Sequence, residues 1–329
     1  MPSGRGRQGR HGGARDRDGP PALRLRGGRD GERGELRREV HYFGEDARVA
    51  RGLARELGVR ARALDVHRFP DGESLVRARV SADEAILVRS LDDPDAKLVQ
   101  VLLAADALRR AGARRVILVA PYLSYMRQDR VFRRGEPISQ RVVGRLLGDA
   151  FDRVLTVEAH LHRTRRLGDV VTCPARSLSA APLLAQWCRG HPSVKLVVGP
   201  DEESEPFVRG LARRAGLAWA VGRKERLGDR RVRLELPELP KLPSFARCLV
   251  VDDIGSSGAT LAAAARALGR RGLGHVDALV VHALFAPGAL RRMRSAGIER
   301  VVSCDTVPHA TNRIGVAPLL ATGFPRGRD

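Results

Sequence analysis

Short segments made almost wholly of apolar residues alternate with segments of helical periodicity along most of this chain. The apolar segments predict strands at 40–43, 85–89, 115–120, 153–157, 195–199, 217–221, 247–251, 276–284 and 299–303. The periodic segments predict a helix that stops at Gly58 and helices at 97–111, 139–147, 205–215, 260–268 and 290–296. Strands that are apolar on both faces, each followed by a helix, are typical of parallel sheets covered on both sides. The sequence therefore predicts an α/β fold.

The same rhythm occurs twice in 329 residues, which predicts two similar α/β domains in tandem. We place the boundary near residue 180, before the turn SLSAAPLL, which gives domains at 40–179 and 180–322. Residues 1–39 are rich in Gly, Arg and acidic residues, with almost no apolar periodicity. Such a composition cannot bury enough surface to offset chain entropy, so we expect a disordered tail.

The net charge of +21 invites comparison with nucleic-acid-binding proteins. The positive residues are mostly Arg and are scattered through ordinary helical segments, and aromatic residues make up only 4% of the chain. This content is too low to indicate a surface that stacks bases. The composition therefore favours an anionic small-molecule substrate over a nucleic acid.

The chain shows no apolar run long enough to cross a bilayer and no apolar segment of the signal-peptide type at its start. Its four cysteines are far apart and form no C-x-x-C pair, which argues against a zinc cluster or a disulfide framework. We expect a soluble cytoplasmic protein with reduced thiols and no membrane partner.

The stretch CLVVDDIGSSGATL, residues 248–261, places two carboxylates directly after an apolar strand. In open parallel sheets ligands bind beyond the carboxyl ends of strands, where Asp252 or Asp253 could accept hydrogen bonds from sugar hydroxyls or hold a cation. The small residues 255–259 allow backbone N–H groups to form an anion-binding nest, and Thr260 opens a helix whose dipole favours anions. The combination predicts a sugar phosphate; the alternative is a plain strand-to-helix turn with capping Ser and Thr.

This stretch resembles the motif that phosphoribosyltransferases and ribose-phosphate diphosphokinases (PRPP synthetases) share for binding phosphoribosyl diphosphate. Further segments resemble the diphosphokinase family specifically, in the same order along the chain: RFPDGES (68–74), APYLSYMRQDRVFRRGEPISQRVVGRLL (120–147), VEAHLHR (157–163), VVGPDEES (197–204) and VGRKERLGDRR (221–231). Taken singly, four of these segments have ordinary readings: PDG is a turn, MRQDR is a solvated charge run, the histidine of VEAHLHR is structural, and VGRKERLGDRR is a surface basic cluster. Together they extend the resemblance from Val40 to about Leu320 and imply two phosphoribosyltransferase-like domains.

The resemblance implies four groups of site residues. The ATP-binding residues are Phe69, Asp71, Glu73, Arg127 and Gln128. The ribose 5-phosphate-binding residues are Asp252, Asp253, Ser256, Ser257, Gly258, Ala259 and Thr260. His160 and Asp201 are the Mg²⁺-associated residues. Lys224 and Arg226 are the catalytic residues on a flexible loop, where they neutralise charge on the transferred group.

The implied reaction transfers the diphosphoryl group of ATP to the C1 hydroxyl of ribose 5-phosphate, giving 5-phosphoribosyl 1-diphosphate and AMP. In this family the ATP loop is commonly supplied by a neighbouring subunit, so the resemblance also implies a homo-oligomer. Two alternatives stay open: a phosphoribosyltransferase, and a non-catalytic paralogue that regulates a true synthetase.

The chain departs from the family pattern at Glu158, where aspartate is common, at Glu202 and Glu203, which follow Asp201, and at Ser256. Glu202 and Glu203 would repel a phosphate unless they point away from it or bind a cation.

Overall fold

The computed structural model describes residues 37–161, 163–226 and 232–325, and of residues 224–226, 232 and 233 it describes the backbone. The predicted tail lies outside this range except for its last residues, and of these Arg38 and Glu39 already belong to the first strand. In the part of the chain that is described, every helix is too short or too polar to cross a lipid bilayer.

The first half of the chain forms a six-stranded sheet and a separate hairpin. Its strands are β1 (Arg38–Tyr42), β2 (Arg60–Ala63), β3 (Asp65–Arg68), β4 (Ser74–Arg77), β5 (Glu84–Val88), β6 (Arg115–Ala120), β7 (Arg153–Val157) and β8 (Ala175–Leu178). Its helices are α1 (Ala47–Leu57), α2 (Pro94–Arg110) and α3 (Ser139–Ala150). The sheet has the order β2-β1-β5-β6-β7-β8 with every pair parallel, while β3 and β4 form the antiparallel hairpin.

The second half repeats this plan. Its strands are β9 (Val194–Gly199), β10 (Ala218–Val221), β11 (Arg223–Arg226), β12 (Val232–Glu235), β13 (Arg247–Gly255), β14 (Val276–Ala283), β15 (Ile298–Cys304) and β16 (Asn312–Ile314). Its helices are α4 (Ala181–Arg189), α5 (Glu205–Ala215), α6 (Ala259–Arg270), α7 (Ala289–Ser295) and α8 (Ala317–Ala321). The sheet order is β10-β9-β13-β14-β15-β16, again all parallel, and β11 and β12 form an antiparallel hairpin.

The two halves have the same strand order, and each inserts its hairpin directly after its second strand. The prediction of two tandem α/β domains with mainly parallel sheets is therefore confirmed. The repeat also gives the predicted ATP segment, 68–74, and the predicted catalytic segment, 221–231, equivalent topological positions, because each lies at one of the two hairpins.

The central strands follow the apolar runs because both of their faces are covered. Every residue of β5 (EAILV) and of β14 (VDALVVHA) is buried. Helix α1 buries Val49, Ala50, Leu53 and Ala54 on one face and ends at Gly58, which adopts a left-handed conformation with φ of 66°. Its N–H bonds two carbonyls of the last helical turn, as expected for a glycine that ends a helix.

One apolar cluster joins the two halves. It contains Val40 and Leu155 from the first sheet, Leu249 and Leu279 from the second, and Leu320 from α8. Helix α8 packs against α1 and β7, so the end of the second half covers the core of the first. The two sheets thus have separate hydrogen-bond ladders but share part of their core.

The structure differs from the sequence-based prediction at several short elements. The strands β2, β8 and β16, the helices α4 and α8 and both hairpins were not predicted. Strands β2, β3, β4 and β8 contain exposed and charged residues and are held largely by backbone pairing. The predicted turn SLSAAPLL is wrong in its second half, because helix α4 begins there, at Ala181. Strand β13 continues to Gly255 instead of ending at Val251, because its pairing with β14 extends to Ala283.

Candidate active site

A cavity of about 900 Å³, which we call the crevice, opens where the carboxyl ends of the two sheets meet. Most of its polar lining comes from the last part of β13 and from the residues that follow β6, β7, β9 and β13. The lining includes Arg127, Asp129, Arg130, Glu158, His160, Arg163, Asp201, Asp252, Asp253, Ser256, Ser257, Gly258 and Thr260. The crevice therefore brings together nine residues to which the resemblance gives site roles: Arg127, His160, Asp201, Asp252, Asp253, Ser256, Ser257, Gly258 and Thr260.

Asp252 and Asp253, which we call the acidic pair, project into the crevice because the two neighbours of β13 stop pairing with it at different residues. Pairing with β9 stops at Val250, whereas pairing with β14 continues past the acidic pair. The Asp252 carboxylate accepts from the N–H of Asp253 at 3.0 Å. Burial, followed by the negative charge of Asp253, raises the pKa of Asp252 to about 8. The folded protein thus favours a proton on Asp252 at neutral pH.

His160 connects the two halves across the crevice. Its Nδ1 lies 2.5 Å from the Oδ2 atom of Asp253, and the other carboxylate oxygen of Asp253 accepts from the N–H of Ile254 at 2.7 Å. Burial of Asp253 opposes ionisation, but the hydrogen bond and the charge of His160 outweigh it and lower the pKa of Asp253. The two neighbouring aspartates thus have pKa values shifted in opposite directions.

The loop 255–258 has the geometry of an anion cradle. A Cβ atom at Gly255 would lie 2.3 Å from the Phe285 ring, and Gly258 has a φ of 70°, so glycine is required at both positions. In the described part of the chain, the N–H groups of Ser257 and Gly258 have no hydrogen-bond acceptor. Helix α6 begins directly after them, so these donors lie at a helix N-terminus, where the helix dipole favours an anion.

Glu158 has a structural role that the sequence did not reveal. It follows β7 with a φ of 39°, an unfavourable backbone conformation for a residue with a side chain. Its carboxylate accepts from the N–H of Ala180 at 2.6 Å and from the hydroxyl of Ser179 at 3.1 Å. Burial raises its pKa to about 7. The departure from aspartate is thus accommodated by two donors at the start of α4.

The acidic residues after β9 divide between two surroundings. Asp201 and Glu203 line the crevice. Glu202 instead forms an ion pair with Arg223, at 3.2 Å, on the strand that carries Lys224. The Glu202 side chain is thus engaged at the hairpin β11–β12.

Only some of the predicted ATP residues line the crevice. Arg127 lines the crevice, together with its near neighbours Asp129 and Arg130, which sequence reasoning missed although they lie in the same MRQDR run. Gln128 does not line the crevice; its side-chain oxygen accepts a hydrogen bond from the Ser139 hydroxyl at the start of α3.

Phe69, Asp71 and Glu73 lie in the exposed turn of the hairpin β3–β4, outside the crevice of the same chain. Asp71 accepts a hydrogen bond from the Glu73 N–H at 3.1 Å, and the Phe69 ring contacts His67 edge-on. The structure of one chain therefore does not bring this predicted ATP segment to the other site residues.

Lys224 and Arg226 lie on β11, where their backbones pair with Leu234 and Val232 of β12. Their side chains lie outside what the structure describes. Ala259, the remaining predicted substrate residue, is exposed at the first position of α6 and does not line the crevice.

The side chains of the crevice have the chemistry to bind a magnesium ion. Within residues 37–161, 163–226 and 232–325, no group of three or more His, Cys, Asp or Glu side chains is arranged to hold a metal alone. Mg²⁺ prefers oxygen ligands, keeps several waters and is commonly bound by one or two carboxylates together with substrate phosphates. The carboxylate of Asp201, whose negative charge helps to raise the pKa of Asp252, provides such oxygens.

Comparison with known proteins agrees with this architecture. Residues 42–150 match the family model described as the N-terminal domain of ribose phosphate pyrophosphokinase, and residues 173–318 match that of the phosphoribosyl transferase domain. A ribose-phosphate pyrophosphokinase of Methanopyrus kandleri is 35% identical over 281 residues, which cover 84% of this chain and 95% of the relative. One from Thermococcus kodakarensis is 33% identical over 269 residues, which cover 81% and 93%.

Among solved structures, the phosphoribosylpyrophosphate synthetase of Mycobacterium smegmatis superposes with a TM-score of 0.74 and is 26% identical. The match covers 87% of this chain and 97% of that one. The fold, both family models and the near full-length relatives thus agree with the resemblance seen in the sequence. The chain belongs to the ribose-phosphate pyrophosphokinase family, also called ribose-phosphate diphosphokinases.

Proposed function

We propose that this chain is an enzyme that transfers the diphosphoryl group of ATP to the C1 hydroxyl of ribose 5-phosphate. The products are 5-phosphoribosyl 1-diphosphate and AMP. The observation that carries the proposal is the crevice, in which the acidic pair, the anion cradle and His160 lie together in a member of this family. We further propose domains at 40–179 and 180–322 and a cytoplasmic location.

Ribose 5-phosphate binds along the carboxyl end of β13. The N–H groups of Ser257 and Gly258, with the hydroxyls of Ser256, Ser257 and Thr260, hold the 5-phosphate at the start of α6. The ionised Asp253 accepts a hydrogen bond from a ribose hydroxyl. Asp252, with its raised pKa, donates or accepts according to its protonation.

ATP binds on the first-half side of the crevice, where Arg127 offers a planar guanidinium fork to phosphate oxygens. Gln128, Phe69, Asp71 and Glu73 complete the ATP site. Because the β3–β4 hairpin is exposed and lies outside the crevice of its own chain, we propose that a second copy supplies it in a homo-oligomer.

Mg²⁺ would be held by His160 and Asp201 together with substrate phosphates and water. When bound, the ion neutralises charge on the phosphate oxygens. Since Nδ1 of His160 already binds Asp253, the imidazole has one fixed orientation toward the metal position. Imidazole is an unusual Mg²⁺ ligand, so we propose that His160 acts partly through water.

The transfer itself needs positioning and charge stabilisation more than covalent help from the protein. Lys224 and Arg226 supply that charge from the β11–β12 hairpin, at the developing negative charge on the transferred group. No side chain is assigned as an obligate general base.

The test is an assay of AMP and 5-phosphoribosyl 1-diphosphate formation from ATP, Mg²⁺ and ribose 5-phosphate. Lys224→Ala should lower kcat by about 10²–10³, the scale for loss of one group that stabilises transition-state charge. Lys241→Ala, at an exposed lysine that does not line the crevice, is the matched control and should keep wild-type kcat. AMP formation that does not depend on ribose 5-phosphate would contradict the proposed reaction, and equal kcat in the two variants would remove Lys224 from it.

A further inference from the structure

A buried histidine lies directly behind the crevice and has no role in the reaction described above. His282 is in β14 with 1% of its surface exposed. Its Nε2 lies 3.2 Å from the backbone carbonyl of Glu158, and its Nδ1 lies 2.9 Å from the Thr306 hydroxyl. The Tyr122 ring packs against it edge-on, with 4.9 Å between ring centroids. His282 thus belongs to the second half but contacts two strand ends of the first.

The hydrogen bonds of His282 define its tautomer. Burial lowers its pKa to about 4, so the ring is neutral at pH 7 and carries a single proton. The Glu158 carbonyl can only accept, so the proton is on Nε2, and Nδ1 accepts from the Thr306 hydroxyl. That hydroxyl also donates to the Val281 carbonyl at 2.8 Å, so its one proton is shared between the carbonyl and Nδ1.

Thr306 is in turn held by the first half of the chain. Its carbonyl accepts from the Ser90 hydroxyl at 2.6 Å, and the Ser90 N–H donates to Asp46 at 2.9 Å. Asp46 is also paired with Arg89 at 3.2 Å. The donor to the Glu158 carbonyl is thus fixed by a chain of buried hydrogen bonds that crosses between the halves twice.

The Glu158 carbonyl needs such a donor because of its position. Glu158 has a left-handed backbone, with φ of 39°, and is two residues before His160. Such a conformation persists only when surrounding contacts hold it. The carbonyl of Glu158 is bonded to His282 and its carboxylate to the start of α4, so both ends of the residue are fixed. This turn places His160 Nδ1 at 2.5 Å from Asp253.

We propose that His282 is a positioning residue, which donates from Nε2 to the Glu158 carbonyl and thereby keeps His160 aligned with Asp253 for binding the metal–nucleotide complex. The inference rests on the proposed function for the identity of that complex. It assigns no contact between His282 and substrate, and it gives Thr306 the role of selecting the His282 tautomer.

Two matched pairs of variants in the full chain test this role. Gln at 282 can reach the position of Nε2 and donate to the Glu158 carbonyl, whereas Asn reaches only the position of Nδ1. Ser at 306 keeps the hydroxyl that fixes the tautomer, whereas Val removes it at nearly the same volume. The probe is the Mn²⁺ complex of α,β-methylene-ATP, which cannot transfer its diphosphoryl group. Its affinity is measured from the free Mn²⁺ signal by electron paramagnetic resonance, without ribose 5-phosphate.

His282→Asn and Thr306→Val should weaken this affinity about 10-fold and lower kcat about 10–100-fold, the range for residues that support metal ligands. The KM for ribose 5-phosphate should change by less than about 3-fold, because the cradle at 255–258 is untouched by these changes. His282→Gln and Thr306→Ser should remain close to wild type. The difference within a pair distinguishes positioning from packing, since both members of a pair disturb the core at the same place.

Equal affinities within each pair would overturn the inference, whether both variants resemble the wild type or both are weakened. If His282→Asn does not fold, the Thr306 pair decides alone. A wild-type protein that does not bind the Mn²⁺–nucleotide complex would also overturn it. Failure of the proposed function shows separately, as absence of AMP formation from ATP and ribose 5-phosphate while the affinity differences persist.

Discussion

Replacement of Asp252 by Asn should make the protein more stable and less active. In the ligand-free crevice, burial and the charge of Asp253 raise the pKa of Asp252 to about 8 from an ordinary value of 3.8. At pH 7 the folded protein therefore keeps a proton on Asp252 that the unfolded chain has released. Between the ordinary pKa and pH 7 this proton difference lowers the free energy of unfolding by about 1.4 kcal/mol per pH unit over about 3 units. At pH 7 the wild type should therefore be about 4 kcal/mol less stable than a variant with a neutral residue of the same shape.

The sign of the effect depends on pH in a defined way. Because the folded pKa is raised, the wild type has its full stability from this group below pH 3.8 and loses it progressively up to pH 8. Asp252→Asn has no such loss. Its advantage should be small near pH 4.5 and should approach about 4 kcal/mol at pH 7, or roughly 8 °C in Tm if each kcal/mol shifts Tm by about 2 °C.

The assay is thermal unfolding of both proteins at pH 4.5 and pH 7, without nucleotide, sugar phosphate or divalent ions. In a separate assay with ATP, Mg²⁺ and ribose 5-phosphate, AMP formation should fall at least 100-fold in the variant, because the proposed contact to a ribose hydroxyl is altered. An Asp252→Asn protein that unfolds at the wild-type temperature at both pH values would refute the electrostatic reasoning.

Asp253→Asn is the matched comparison and should change stability in the opposite direction. The Asp253 carboxylate accepts from both His160, at 2.5 Å, and Ile254, at 2.7 Å, and an amide has one oxygen for these two donors. Loss of a hydrogen bond to a charged group costs about 1.5–3 kcal/mol. A Tm at or above the wild-type value for Asp253→Asn would contradict the assignment of Asp253 as the ionised member of the acidic pair.

Three further outcomes are expected. Gly255→Ala places a Cβ 2.3 Å from the Phe285 ring, so it should lower the free energy of unfolding by about 1–3 kcal/mol and raise the KM for ribose 5-phosphate. Gly269→Ala, with open space at its Cβ, should do neither. Equal denaturant midpoints for the two variants would contradict this. Burial lowers the pKa of His41 to about 4, so the unfolded chain takes up a proton before the folded protein does. The free energy of unfolding of the wild type should therefore fall by about 3 kcal/mol between pH 6.5 and pH 4. His41→Leu should lack that loss when unfolding is measured across this pH range. Removal of Mg²⁺ by chelation should abolish AMP formation and leave the ligand-free Tm unchanged, and added Mg²⁺ should restore activity; turnover in excess chelator would exclude the metal.

The sequence predicted the parts of the fold in which burial dictates residue type. The central strands β5, β6, β13 and β14 are fully or mostly buried, so their apolar runs were recognisable. Strand β2 (RARA) has no such run, and its place beside β1 depends on backbone hydrogen bonds that leave no mark in residue type. The same holds for the hairpin β3–β4, whose turn carries Phe69, Asp71 and Glu73, and for β11, which carries Lys224 and Arg226.

The crevice was predictable to the extent that it depends on strand ends. His160, Asp201 and Asp253 each follow or end a strand, and the carboxyl ends of parallel strands meet at one edge. The contact of His282 with the Glu158 carbonyl joins residues 124 positions apart. A neutral histidine within an apolar strand gives no sign of its partner, so only the packing of the two halves reveals it.

The core shared by the two halves limits how this duplicated architecture can be recombined. A Cβ at Gly323, after α8, would lie 2.5 Å from a methyl group of Leu155 in β7, and a Cβ at Gly52 in α1 would lie 2.8 Å from that of Ala317. A chimera that joins the first half of this protein to the second half of a relative must therefore keep both matches. Crossovers near residue 180, where we propose the domain boundary, would be tolerated only between parents that agree at these four positions, although residue 180 itself lies outside the sheets.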